Sequence, residues 1–257
     1  MRAMNIRVVN GGSGLSLASA SFRKNWPHYM REALGLAIFM ISACAFAVLL
    51  EDKHSRVHLA IPNAWVRLVI MGIAMGATAL FIFYSPLTAP SGSHINPAVT
   101  LTFMRLGKMC HWDALYYILF QFAGGALAVY VMALLIGGPL TDNPVHYITT
   151  VPGRQGLSVA LAAEFLAGFI AMSAVLFSSE STGWSKYTRV ISAVLIGVFV
   201  IIVGPLSGFG MNPARTFASA MPSDDWTDFW AYMIIPILSM LSAAEFFLYV
   251  RKNSCLK

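Results

Sequence analysis

Of the 257 residues, 11% are charged and 58% hydrophobic, whereas an ordinary soluble domain carries charge on roughly a quarter of its residues. So little charge cannot clothe a water-facing globule, which leaves a polytopic membrane protein. The formal net charge of +6 is scattered rather than gathered in a patch, which speaks against nucleic acid as a partner; three distant cysteines (Cys44, Cys110, Cys255) make neither a disulfide framework nor a metal site.

Residues 1–30 hold Arg2, Arg7, Arg23 and Lys24, several serines and no acidic residue. The segment reads as a disordered cytosolic tail, with an organelle transit peptide as the lesser reading. Six stretches then reach the length and apolarity of a membrane span: about 33–50, 68–89, 114–136, 157–178, 190–206 and 229–250. A charged loop (51–58), a long Gly/Pro loop (137–156) and a polar turn (178–189) separate them. With both ends inside, the inner segments collect Arg31, Arg105, Lys108, Lys186, Arg189, Arg251, Lys252 and Lys257. The outer ones keep Lys53, Arg56, Arg67 and Arg154. This bias predicts a multi-pass protein of the plasma or inner membrane with both termini cytoplasmic, residues 251–257 forming a basic C-terminal tail.

Two apolar segments, 97–106 and 213–222, are too short to span. Ten residues of helix cover about 15 Å, half the hydrocarbon thickness. Each opens on Asn-Pro, a cap followed by the best residue for the first helical position, and so reads as a re-entrant half-helix. One follows the second span and the other follows the fifth, so they enter from opposite faces. The expected fold is all-α, with six transmembrane helices and two re-entrant half-helices in an inverted repeat, a known way to build a membrane site. Repeat one covers about 31–136 and repeat two about 157–250. Glu32 and Glu164 sit near the repeat starts as expected structural braces, since a carboxylate in a membrane needs partners.

The strings "SGSHINPAVT", "QFAGGALA" and "GPLSGFGMNPAR", with "REALG" and "AAEFLAG" at the repeat starts, resemble the aquaporin family, the major intrinsic proteins including aquaglyceroporins. The resemblance covers residues from about 30 to 250. It implies a passive channel for water and small uncharged solutes that excludes protons and ions, built as a homotetramer, with no cofactor and no metal. The implied pore motifs are Asn96, Pro97 and Ala98, and Asn212, Pro213 and Ala214. Their amides would donate to a passing solute between opposed helix dipoles. Carbonyls of Gly92, Ser93, His94, Gly208, Phe209 and Gly210 would accept along the path, and His94 is read as bracing its loop. By spacing, the implied selectivity filter is Gly76, Val200, Phe209 and Arg215. A slip of one residue through "YSPLTAPSG" would put Met75 or Ala77 first.

That wall lacks the aromatic and His of water-selective members and predicts a wider pore, for glycerol-like polyols, urea or metalloid acids. The alternatives are a strictly water-selective channel and a non-conducting adhesion member. Neither HExxH nor GxSxG occurs, so an enzyme is not expected. The acidic candidates for an ion-coupled transporter, Glu32, Glu164 and Glu245, are better placed as braces or near span ends.

Overall fold

The structure, a computed structural model, describes residues 14–254; Arg2, Arg7, Cys255 and Lys257 lie outside that range. Its main helices are α1 (Gly14–Glu51), α2 (Ala64–Tyr84), α3 (Pro97–Arg105), α4 (His111–Ile136), α5 (Leu157–Glu180), α6 (Thr188–Ser207), α7 (Pro213–Ser223) and α8 (Phe229–Ser254). All but α3 and α7 are long and apolar enough to cross a membrane. Their outward faces carry side chains such as Ile73, Leu127, Leu134 and Leu135, which suit lipid and not water. Six crossings bring Gly14 and Ser254 to one face, the terminal face, and leave the 137–156 connection on the other.

Two boundaries differ from the sequence reading. Helix α1 begins at Gly14, inside the stretch expected as a tail, because Ser21, Asn25 and Tyr29 form one polar stripe that bonds to Asp113 of α4. Helix α2 ends at Tyr84 and not near residue 89. Ser85 is extended there (φ −61°, ψ 133°), as the residue before a proline tends to be.

The inverted repeat shows in the packing partners. Helix α1 packs on α4 as α5 packs on α8, while α2 and α6 cross each other. The half-helices trade places: α7 packs on α4 of the first repeat and α3 on α8 of the second. Accordingly one core cluster combines Leu36, Met40, Met75 and Val129 with Ala214 and Ala218 of α7. The other combines Met172, Leu176, Met240 and Phe247 with Ala98 and Phe103 of α3.

Close helix crossings rest on glycine. A Cβ on Gly124 would lie 2.3 Å from the Ala33 carbonyl oxygen, and Gly72 and Gly197 face each other's carbonyls across α2 and α6. Backbone cannot yield as a flexible side chain can, so Gly124→Ala is expected to push α4 off α1 at a cost of about 1–3 kcal/mol. A lowered melting temperature of the purified protein in detergent is the check; an unchanged one would contradict the packing.

Candidate functional site

Asn96 and Asn212 are the N-caps of α3 and α7, each extended, each followed by proline, and their side-chain oxygens accept the N–H of Ala98 and Ala214 at 2.9 and 3.0 Å. An amide has two further donors on its nitrogen. One of them crosses to the other repeat: Asn96 Nδ2 donates to the Met211 carbonyl at 2.8 Å, and Asn212 Nδ2 to the Ile95 carbonyl at 2.7 Å. The half-helix N-termini therefore meet at the centre of the fold with their positive dipole ends together, over the buried Pro97, Ala98, Pro213 and Ala214.

Before each Asn runs a short irregular strip. Left-handed residues fall at matching places in both: Gly92, Ser93 and Ile95 in the first, Gly208, Phe209 and Met211 in the second. Such backbone survives at membrane depth only if its N–H groups find partners. Glu32, fully buried, accepts from Ser91 Oγ at 2.6 Å, His94 N at 3.0 Å, Ile95 N at 2.6 Å and Gln121 Nε2 at 2.9 Å. Glu164 accepts from Ser207 Oγ at 2.5 Å, Gly210 N at 2.7 Å and Met211 N at 2.5 Å. None of the described hydrogen bonds ends on the carbonyls of Gly92, Ser93, His94, Gly208, Phe209 or Gly210. With their N–H groups turned to a carboxylate, the strips leave these acceptors free.

A cavity of about 170 Å³ runs past both strips and both Asn residues, from Thr188 and Arg189 toward the terminal face to Phe209 and Arg215. Its remaining walls are apolar except for Ser192, with Phe39, Phe83, Val175 and Met240 among them. His94 lines it with its ring stacked on Phe103 (4.8 Å) and its Nδ1 3.2 Å from Thr100 Oγ1, the bracing geometry expected of it. Gly208 is not on the cavity.

The four expected filter positions are not all brought together. Phe209 and Arg215 line the cavity, and Val200 is buried behind Phe209 in the same cluster. Gly76 is turned away: its missing Cβ points at the Ala193 carbonyl and Gly197 of α6, in a crevice between α2 and α6. Met75, its neighbour, is buried in the same core cluster as Val200, against which Phe209 packs, and neither Met75 nor Val200 lines the cavity.

Thr150 has no counterpart in the sequence reading. It is buried, and its hydroxyl accepts a hydrogen bond from Arg215 Nη1, with Thr216 Oγ1 at 3.5 Å. The 137–156 connection reaches this position because Gly153 N bonds the Leu206 carbonyl at 2.9 Å and His146 Nε2 lies 3.3 Å from Asp225 Oδ2. Hydrogen bonding from Thr227, with a smaller contribution from His146, holds the Asp225 carboxyl below its usual 3.8. A lowered carboxylate pKa stabilises above the ordinary value and is lost as pH falls through the folded value. Protease resistance of the connection should thus persist as pH falls to the ordinary carboxylate range and weaken only below it. The braces give a larger effect: Glu164→Ala strands the Gly210 and Met211 N–H groups at about 1–3 kcal/mol each. A clear fall in melting temperature is expected, and an unaltered melt would mean other partners hold the strip.

The family model described as Major intrinsic protein matches residues 18–247. Aquaporin NIP1-2 of Arabidopsis thaliana is 32% identical, over 86% of this chain and 73% of its own length. Aquaporin NIP2-3 of Zea mays is 28% identical over 96% of this chain and 81% of its own. Among solved structures, the aquaglyceroporin from Plasmodium falciparum superposes with a TM-score of 0.68, covering 86% of this chain and 94% of that one at 18% identity. Six spans, two half-helices capped by Asn-Pro-Ala and a family match over most of the length place this chain in the major intrinsic protein family, membrane channels for water and small solutes and not enzymes.

Proposed function

We propose that the central cavity is the conduction path, and that it passes water together with small uncharged solutes while rejecting protons and ions. The observation that carries this reading is the pair of opposed strips. Free carbonyl acceptors flank a centre where two Asn amides each keep one N–H uncommitted and two helix dipoles present positive ends. A neutral molecule can exchange its water hydrogen bonds for these as it passes. A cation meets the dipole ends and the Arg215 guanidinium, and a proton cannot relay past donors that fix solute orientation.

In this reading the constriction is formed by Phe209 and Arg215 on the cavity, backed by Met75 and Val200 in the core behind them, with Thr150 holding the guanidinium. Met75 replaces Gly76 in the set, as a buried residue behind the wall. It is flexible and apolar, and Val200 stands where a histidine would offer water a partner. The wall therefore gives CH groups an apolar surface opposite one charged donor, which suits glycerol-like polyols, urea or an uncharged metalloid acid. A homotetramer with both chain ends in the cytoplasm is part of the same proposal. The Lys/Arg bias of the loops supports the orientation, and the tetramer is what the family resemblance implies.

Stopped-flow light scattering of liposomes holding the purified protein tests it. Water and glycerol or urea flux above empty liposomes is expected, and Val200→His should cut solute flux several-fold while water flux persists. Water flux alone in the wild type would make the channel strictly water-selective; no flux from folded protein would leave the non-conducting member.

A further inference from the structure

Helix α1 has 38 residues and its counterpart α5 has 24. At 1.5 Å per residue α1 is about 57 Å long, well beyond a bilayer's hydrocarbon thickness. The surplus lies at its start and carries a polar stripe at i, i+4, i+8. Ser21 Oγ, Asn25 Nδ2 and Tyr29 OH donate to a single oxygen, Asp113 Oδ1 of α4, at 2.5, 3.0 and 2.5 Å. Cys110 Sγ lies 3.2 Å from the other oxygen. Asp113 is 1% exposed, so this is a closed clamp of helix on helix and not a surface ion pair.

The clamp leads to the central site. The buried Tyr29 ring packs edge-on against Tyr117 at 5.8 Å. Tyr117 in turn donates its hydroxyl to the Ser91 carbonyl at 2.8 Å and packs at 5.4 Å on the His94 ring. Ser91 and His94 belong to the first strip, the one Glu32 holds. The second repeat has the matching last link, Tyr232 OH to the Ser207 carbonyl at 2.8 Å. It lacks the first: three residues before Glu164, where Tyr29 stands before Glu32, is Leu161, which has no hydroxyl to offer.

We propose that Asp113, acting through Tyr29 and Tyr117, is a positioning residue that sets the place of the Ser91–Ile95 strip, and with it the acceptors on the terminal-face half of the path. The proposal rests on the cavity being the conduction path, but the strip's order can be read without any flux. Among the described residues Asp228, four before Tyr232 as Asp113 is four before Tyr117, receives no such set of side-chain hydrogen bonds, so the two strips are held by unequal means in an otherwise symmetric centre.

The test is hydrogen exchange by mass spectrometry on the full chain in nanodiscs, with liposome flux beside it, for Asp113→Leu, Asp113→Asn and Tyr29→Phe. Asp113→Leu and Tyr29→Phe should speed exchange in peptides covering 91–96 about five- to tenfold, the scale of one net hydrogen bond. Peptides covering 207–212 should not change. Asp113→Asn keeps an acceptor oxygen and should restore slow exchange. The glycerol-to-water flux ratio should shift in the first two variants and return in the third. Equal acceleration of both strips, no acceleration in either, or faster exchange with an unmoved flux ratio would each overturn the proposal. If Asp113→Leu does not fold, Tyr29→Phe decides, since it removes only a hydroxyl. A wild type that passes no solute or water would count against the conduction reading, while the exchange pattern still decides whether the clamp orders the strip.

Discussion

Main-chain N–H groups in a bilayer have no water to bond, and that constraint shapes the centre of this protein. Helices meet it internally; the two strips before Asn96 and Asn212 cannot. Glu32 and Glu164 meet it for them by presenting carboxylate oxygens to two consecutive N–H groups each. A charged group so deep in a membrane is costly unless it is fully partnered, and the two interactions solve each other's problem. The freed carbonyls on the opposite side of each strip are the result, so the acceptors of the cavity exist because a carboxylate holds the back of the same backbone.

The symmetry of the solution explains the symmetry of the fold. Each half-helix is packed in the other repeat's core, with Ala214 among the α1 and α4 side chains and Ala98 among those of α5 and α8. Neither repeat can bury its own apolar surface alone. Differences between the halves then fall at the ends of the cavity. One end has Arg215 tied to Thr150 and a loop descending from the face opposite the chain ends; the other has His94 stacked on Phe103 and braced from below by aromatic rings.

Much of this was legible in the sequence because its causes are local. Asn-Pro at a helix start is a capping signal, ten apolar residues are countably too few for a span, and a lone acid in an apolar run must be held. The features that escaped depend on partners or on loop geometry. Gly76 and Met75 differ by one position, and which of them faces the core depends on how α2 packs against α6, which spacing from Asn96 does not encode. The start of α1 looked like a tail because Ser21 and Asn25 are polar, and only Asp113, distant in sequence, makes them a helix face. Thr150 carries no local signal at all, being one threonine of a loop until Arg215 meets it.

The bonds that join the two Asn side chains to the opposite strips span 115 and 117 residues of chain. Their partners are made in separate halves of synthesis, so the first half-helix must wait in the membrane with its amide and its strip carbonyls unmatched until α7 arrives. A chain cut after α4 would hold the same motif and the same brace yet have no finished apex. The bilayer therefore receives the polar centre as two incomplete pieces, which can be joined only when the second repeat enters inverted relative to the first.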